Sequence, residues 1–448
     1  MKLVFMLVSF THVAICLIVG IALIILLTTR YRVHAFFALM LACLLTGLGL
    51  GMPLGDIIGA TKEGFGNIMK SLGLIIVLGT TLGVVLEHTG STRVIASFIL
   101  KKTGDKRAPL AMSLTGFLVG LPVFCDSGFI VLSGLNRPFS KRKGIPYTAI
   151  PISLATGLLA VHCLVPPHPG IAAAAGTIGV DLGKLILTGI PIAIPTMLAG
   201  HLWAVYAGRK FPNPVATEET AHDDNRENPS LVRSVLPILI PVLLIAVRSF
   251  FTVDSGLPNS WMNTLLSVGD PVIALSIGVL LAFNAKRGWN RNLVAGLLQE
   301  SAEKAGGILV IIGAGGAFGS LLALSKAGLS FSNAINLGSA GIFFPFLLCF
   351  ILKTAQGSST VAIITAASIV QPLLPALGLD SQTGKLLTVL SMGAGSMIIS
   401  HANDAYFWVI AKFSGLEMKT MLRVYSISTL LMGLTAFAII YILSLVIL

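Results

Sequence analysis

The stretch VHCLVPPHPG, Val161 to Gly170, follows directly on the apolar run Ile152 to Ala160. Proline has no backbone N–H to donate, so a helix entering this stretch must stop near Val165, and the run IAAAAG restarts it. Backbone left unpaired inside a bilayer is tolerated only where protein buries it or water reaches it. The stretch therefore separates a plain bundle of spanning helices from a fold with interruptions built into its middle.

The chain around it is membrane-like. Of 448 residues, 55% are hydrophobic and 11% charged, and the mean hydropathy of +0.92 lies far outside the range of soluble domains. The net charge of +12 reads as basic cytoplasmic loops and not as a nucleic-acid surface. Five cysteines (Cys16, Cys43, Cys125, Cys163, Cys349) are odd in number, have no CxxC spacing and sit in apolar surroundings; they read as small buried hydrophobes, not metal ligands. The first apolar run, Leu3 to Thr29, is too long for a signal-peptide core, lacks an AxA-like cleavage site and ends in TTRYR, so it is expected to stay as a spanning helix.

A spanning helix needs roughly 20 apolar residues, and about ten runs qualify: near 5–28, 34–52, 71–88, 146–163, 184–208, 233–252, 268–284, 305–325, 384–400 and 422–447. Two pairs are too short to span. Residues 108–121 and 128–136 flank LPVFCDS and precede the basic cluster Arg137 to Lys143; residues 340–352 and 358–370 flank KTAQG. Each pair is expected to be a re-entrant hairpin. The polar segment 209–233 divides the chain into halves, 1–208 and 234–448. The halves also match weakly, in order: KSLGLIIVLG (Lys70 to Gly79) with KAGGILVIIG (Lys304 to Gly313), CDSGFIVL with AQGSSTVA, and His162 with His401. If the basic clusters are cytoplasmic, both termini are periplasmic and the hairpins enter from opposite sides. The expected fold is an all-α polytopic membrane protein of two inverted-topology repeats, each with a hairpin and a broken transmembrane helix, the plan of a secondary transporter.

Polar residues concentrate at the interruptions. Asp126 lies between apolar half-helices, where a carboxylate costs about 2.5 to 3.5 kcal/mol; it is a proton carrier, a helix N-cap, or both. Ser127 and Gly128 offer amides beside it. In the second tip, Gln356, Gly357, Ser358, Ser359 and Thr360 open a half-helix whose amides and hydroxyls suit an anion, or simply cap a turn. Lys353 either attracts a carboxylate or neutralises Asp126 or Asp404, or snorkels to the interface. His162 and His168 straddle the proline break and are either protonatable or hydrogen-bonded core residues. In SHANDAYFW, His401 and Asp404 are further proton sites, Asn403 suits a hydroxyl, and Tyr406, Phe407 and Trp408 read as an interfacial belt before a substrate platform. Neither HExxH nor GxSxG occurs, which sets an intramembrane hydrolase behind a transporter or channel.

At these residues the sequence resembles the gluconate:proton symporter family. The resemblance rests on GLPVFCDSGF (Gly120 to Phe129), VHCLVPPHPG, IIGAGGAFG (Ile311 to Gly319), AQGSSTVA (Ala355 to Ala362) and SHANDAYFW (Ser400 to Trp408), and runs over essentially the whole chain. It implies a multi-pass permease of the bacterial inner membrane for gluconate or a related small sugar acid, with protons as coupling ion and no cofactor. Asp126 stands where many members carry glutamate, and the Cys125-Asp126-Ser127 triplet differs from the usual one. That brings shorter aldonates and D-serine in as alternative substrates, and sodium remains an alternative coupling ion. The sequence leaves a homo-oligomer open.

Overall fold

The computed structural model describes residues 10–104, 107–136, 146–211, 229–252, 266–286, 288–325 and 341–447. The basic cluster 137–143, most of the polar segment 209–233, both chain ends and the start of the second hairpin at 340 lie wholly or partly outside them. Among the described residues the structure is helical, without strand. In chain order come α1 (Phe10–Thr29), α2 (Ala35–Gly49), α3 (Leu54–Thr89), α4 (Ser91–Thr103), α5 (Ala108–Gly120) and α6 (Cys125–Ser133). Then follow α7 (Ala149–Leu164), α8 (Pro169–Ile178), α9 (Leu182–Lys210), α10 (Leu231–Thr252), α11 (Pro271–Phe283) and α12 (Arg291–Leu324). The last are α13 (Phe343–Gln356), α14 (Ser359–Val370), α15 (Gln382–Gly395), α16 (Ala405–Ser414) and α17 (Ser426–Ile447).

Seven helical segments are long and apolar enough to cross a membrane, fewer than the runs of sequence suggest. The difference lies in three short helices, and the starts of two long ones differ as well. Helices α2, α11 and α15 have 15, 13 and 14 residues, short of the roughly 20 a crossing requires. Conversely, α3 and α12 have 36 and 34 residues and begin at Leu54 and Arg291, well before the apolar runs expected from 71 and 305. Their first turns, LGDIIGATKEGF and RNLVAGLLQESAEK, mix charges with apolar residues, so an apolar run does not register them although the helix continues. Helix α4, rich in basic residues, was hidden among loop-like charges for the same reason.

The core sits at the interrupted segment opened by the prolines. Every residue of α7 is buried, as befits a helix apolar all round, whereas the window over α1 is only 22% buried. Small residues bring backbones together. A Cβ on Gly64 of α3 would lie 2.3 Å from the Gly316 carbonyl oxygen of α12, and one on Gly316 would lie 2.7 Å from Gly64 O. Gly157 of α7 meets α5 likewise, its Cβ position being 2.0 Å from Ser113 O. Such contacts are how helices associate where lipid removes the hydrophobic drive. Here they join the two long helices α3 and α12 to each other, and the short α5 to α7.

Candidate functional site

Four helices begin around one cavity. Phe124 is the N-cap of α6, His168 that of α8 with Pro169 as its first residue, Ser358 that of α14 and Asp404 that of α16. Phe124, Pro169, Ser358 and Asp404 all line a cavity of about 510 Å³, within the ~300–1,000 Å³ typical of small-molecule sites. Leu159 and His162 of α7, with Lys304, Ile308 and Ile311 of α12, complete the wall. The first amides of a helix have no partner in the helix, and its dipole is positive there. The starts of α6 and α8 carry no side-chain cap and leave the cavity receptive to negative charge and to hydroxyl oxygens, while Ser358 and Asp404 cap α14 and α16 with their own side chains.

On α6, Asp126 is the second helical residue, half-buried and on the cavity wall, with the Cys125 thiol 4.0 Å from Oδ1. It does not cap the helix: the N-cap is Phe124 and no side chain closes it, which corrects that alternative. Ser127 also lines the cavity, and it lies within electrostatic reach of the Glu87 carboxylate of α3. Gly128 departs from expectation. It is one residue too deep in the helix, so its amide already donates to Phe124 O at 2.8 Å, and its α-carbon packs on Leu158.

In the second pair, Gly357 ends α13 in the left-handed conformation (φ 84°). A Cβ there would lie 2.1 Å from Asn403 O, so the turn and the second break touch through backbone. Ser358 Oγ accepts from Val361 N at 3.3 Å, Ser359 Oγ donates to Ser396 O at 2.9 Å, and Thr360 Oγ1 faces His162 Nε2 at 3.4 Å. Both polar atoms of the Gln356 carboxamide are buried without a protein hydrogen bond, and Gln356 lines the cavity. Gly357→Ala is expected to cut uptake per folded protein more than about tenfold, because left-handed strain of about 1–2 kcal/mol is joined by a backbone clash. Gly179→Ala, equally left-handed (φ 80°) but with open space around it, carries the strain alone and should retain most uptake.

The second break is tied down by charge. Lys353 Nζ lies 2.6 Å from Asp404 Oδ2, the side chains being 1% and 8% exposed. Lys353 also donates to Gly357 O, and Ser400 Oγ to Asp404 Oδ2. Asp404 Oδ1 accepts from Tyr406 N at 2.9 Å. Asp404 touches the cavity with its oxygens already engaged, and Lys353 stands behind the wall.

The breaks also cap the ends of α5 and α13. His168 Nε2 donates to Gly120 O at 2.5 Å, while Asn403 Nδ2 donates to Thr354 O at 2.7 Å and His401 Nε2 meets the same oxygen at 3.2 Å. These are last-turn carbonyls of α5 and α13, which lack partners within their helices. Of the residues expected at the site, Asp126, Ser127, His162, Gln356, Gly357, Ser358, Ser359, Thr360, Asn403 and Asp404 meet at the cavity; Gly128, His168, Lys353 and His401 do not. The aromatic trio also splits: Tyr406 is buried and lines the cavity, Phe407 is buried, and only Trp408 is exposed as a belt requires. Lys304 and Glu87 were missed. Lys304 shows in the sequence only as the match of Lys70, in a stretch whose charges resemble a loop.

The family of this helical membrane protein makes it a membrane transporter, not an enzyme, and the cavity is its candidate substrate site. The chain belongs to the GntP family of permeases, whose model matches residues 12–446. It is similar to a gluconate permease of Pseudomonas aeruginosa (35% identity, 94% of this chain and 95% of that one). It is similar also to the inner membrane permease YgbN (31%, 94% and 96%) and the D-serine transporter DsdX (29%, 96% and 98%), both of Escherichia coli K12. In fold it resembles the Alcanivorax borkumensis YdaH transporter, with a TM-score of 0.61 at 15% identity over 91% of this chain and 97% of that one.

Proposed function

We propose that this permease imports gluconate or a similar small hydroxy acid across a bacterial inner membrane by proton symport. The observation that carries the reading is the meeting of four helix N-termini, a carboxylate and a row of hydroxyl and amide groups at one cavity of about 510 Å³. The relatives named for gluconate and for D-serine handle molecules that share a carboxylate and a hydroxyl, which fits such a wall. Gln356, Ser358, Thr360, Asn403 and Ser127 would hold the hydroxyls. Asp126 is the proton site of choice: it faces the cavity with the Cys125 thiol at 4.0 Å, whereas Asp404 is bound to Lys353, Ser400 and the Tyr406 amide. His162, beside Thr360, is the second candidate.

Alternating access would use two inverted repeats, 1–208 and 234–448, with both termini periplasmic and the 209–233 segment cytoplasmic. The recurrence of a helix–turn–helix pair followed by an interrupted helix supports it, α5 to α8 and again α13 to α16. So does the shared capping, His168 on Gly120 and Asn403 on Thr354. The test is uptake into proteoliposomes of gluconate, shorter aldonates and D-serine, with and without an inward pH gradient and in sodium or potassium buffer. The expected result is gradient-driven accumulation of a sugar acid in either buffer. Accumulation of no acid, or accumulation that follows sodium alone, contradicts the proposal.

A further inference from the structure

We infer that Lys304 of α12 receives the carboxylate of the transported acid, an assignment that rests on the substrate reading above and names the group that recognises the charge. Among the described lysines and arginines, Lys304 is the one on the cavity wall. Lys353, the other cation nearby, is sealed behind that wall by Asp404 and the Gly357 carbonyl. The α12 wall otherwise consists of Ile308 and Ile311, so Lys304 is a single charged point on an apolar surface facing the hydroxyls and amides of the opposite side.

Its present partners are of the kind a ligand displaces. Glu300 Oε1 lies 2.7 Å from Lys304 Nζ, one helical turn away, with both side chains roughly a third to a half exposed (36% and 48%). Half-exposed pairs of that spacing are weak, and a substrate carboxylate offers the ammonium an equivalent bond. Glu87 also lies within electrostatic reach of both Lys304 and Ser127. The lysine therefore has two glutamates for neighbours, one of which also acts on the helix that carries Asp126. A substrate with its carboxylate on Lys304 extends its hydroxyls toward Asn403 and the unpartnered Gln356 amide and passes Asp126 on the way.

The test compares inhibition of uptake by gluconate and by its neutral isostere gluconamide. Lys304→Gln should raise the inhibition constant of gluconate about tenfold or more, the worth of a charge-assisted bond, and leave that of gluconamide within about twofold. Lys304→Arg should restore most of the gluconate affinity. Lys70→Gln, at an exposed position on α3, removes the same charge away from the cavity and should change neither. Glu300→Gln removes the competing carboxylate and should tighten gluconate binding about two- to fivefold, a readout that does not depend on Lys304→Gln folding. Equal weakening of both inhibitors by Lys304→Gln, or no change in either, overturns the assignment while the substrate reading stands. Wild-type protein that binds none of gluconate, the shorter aldonates and D-serine overturns both.

Discussion

Lys353→Met is expected to remove folded protein from the membrane fraction. The substitution leaves the Asp404 carboxylate, 8% exposed, facing a methyl group where an ammonium stood at 2.6 Å. Breaking a buried pair from one side costs about 3–5 kcal/mol, a large share of the roughly 5–15 kcal/mol that holds a typical protein together. The Gly357 carbonyl loses its donor as well, loosening the turn between α13 and α14 that packs on Asn403. Asp404→Leu should do similar damage by stranding the lysine. The double variant, with no charge left to strand, should melt at a higher temperature than either single one in detergent. A Lys353→Met protein that melts with the wild type would show that the pair does not hold the site together.

Asp126→Asn should separate accumulation from exchange. The amide keeps the shape of the first turn of α6 but cannot release or take up a proton. With one proton per substrate, each unit of pH gradient supplies about 1.4 kcal/mol, or up to tenfold accumulation. The variant should bring that ratio to about one, while exchange of internal for external substrate, which needs no net proton movement, continues. Undiminished accumulation would move the proton site elsewhere, with His162 the next residue to change.

Much of this could be read in the residues because the strongest local signals in an apolar chain are the ones that do not belong there. Pro166 and Pro167 stand side by side ahead of Pro169, which suits the first position of a new helix, and the break appears between α7 and α8. The spaced Pro191, Pro195, Pro237 and Pro241 lie inside continuous helices. The polar tips at Asp126 and Gln356 to Thr360 likewise appear as half-helix ends on the cavity. What escaped depends on phase and on distance along the chain. Gly128 was misplaced because α6 begins at Cys125, and a few residues at a helix start turn a free amide into a bonded one. The partner of Lys353 lies 51 residues away, and nothing local distinguishes Asp404 from Asp126 as its target. Lys304 was lost because charges within the first half of α12 made a helix resemble a loop, though its cavity-facing side chain is set by the same helical period that packs Gly316 on α3.

The most direct test of the account is a dye trapped inside proteoliposomes, reporting internal pH when gluconate or the preferred acid is added outside with no gradient imposed. Proton symport through this cavity predicts acidification of the lumen that scales with substrate uptake and is lost in Asp126→Asn. Substrate entry at wild-type rates with no change in internal pH would contradict it.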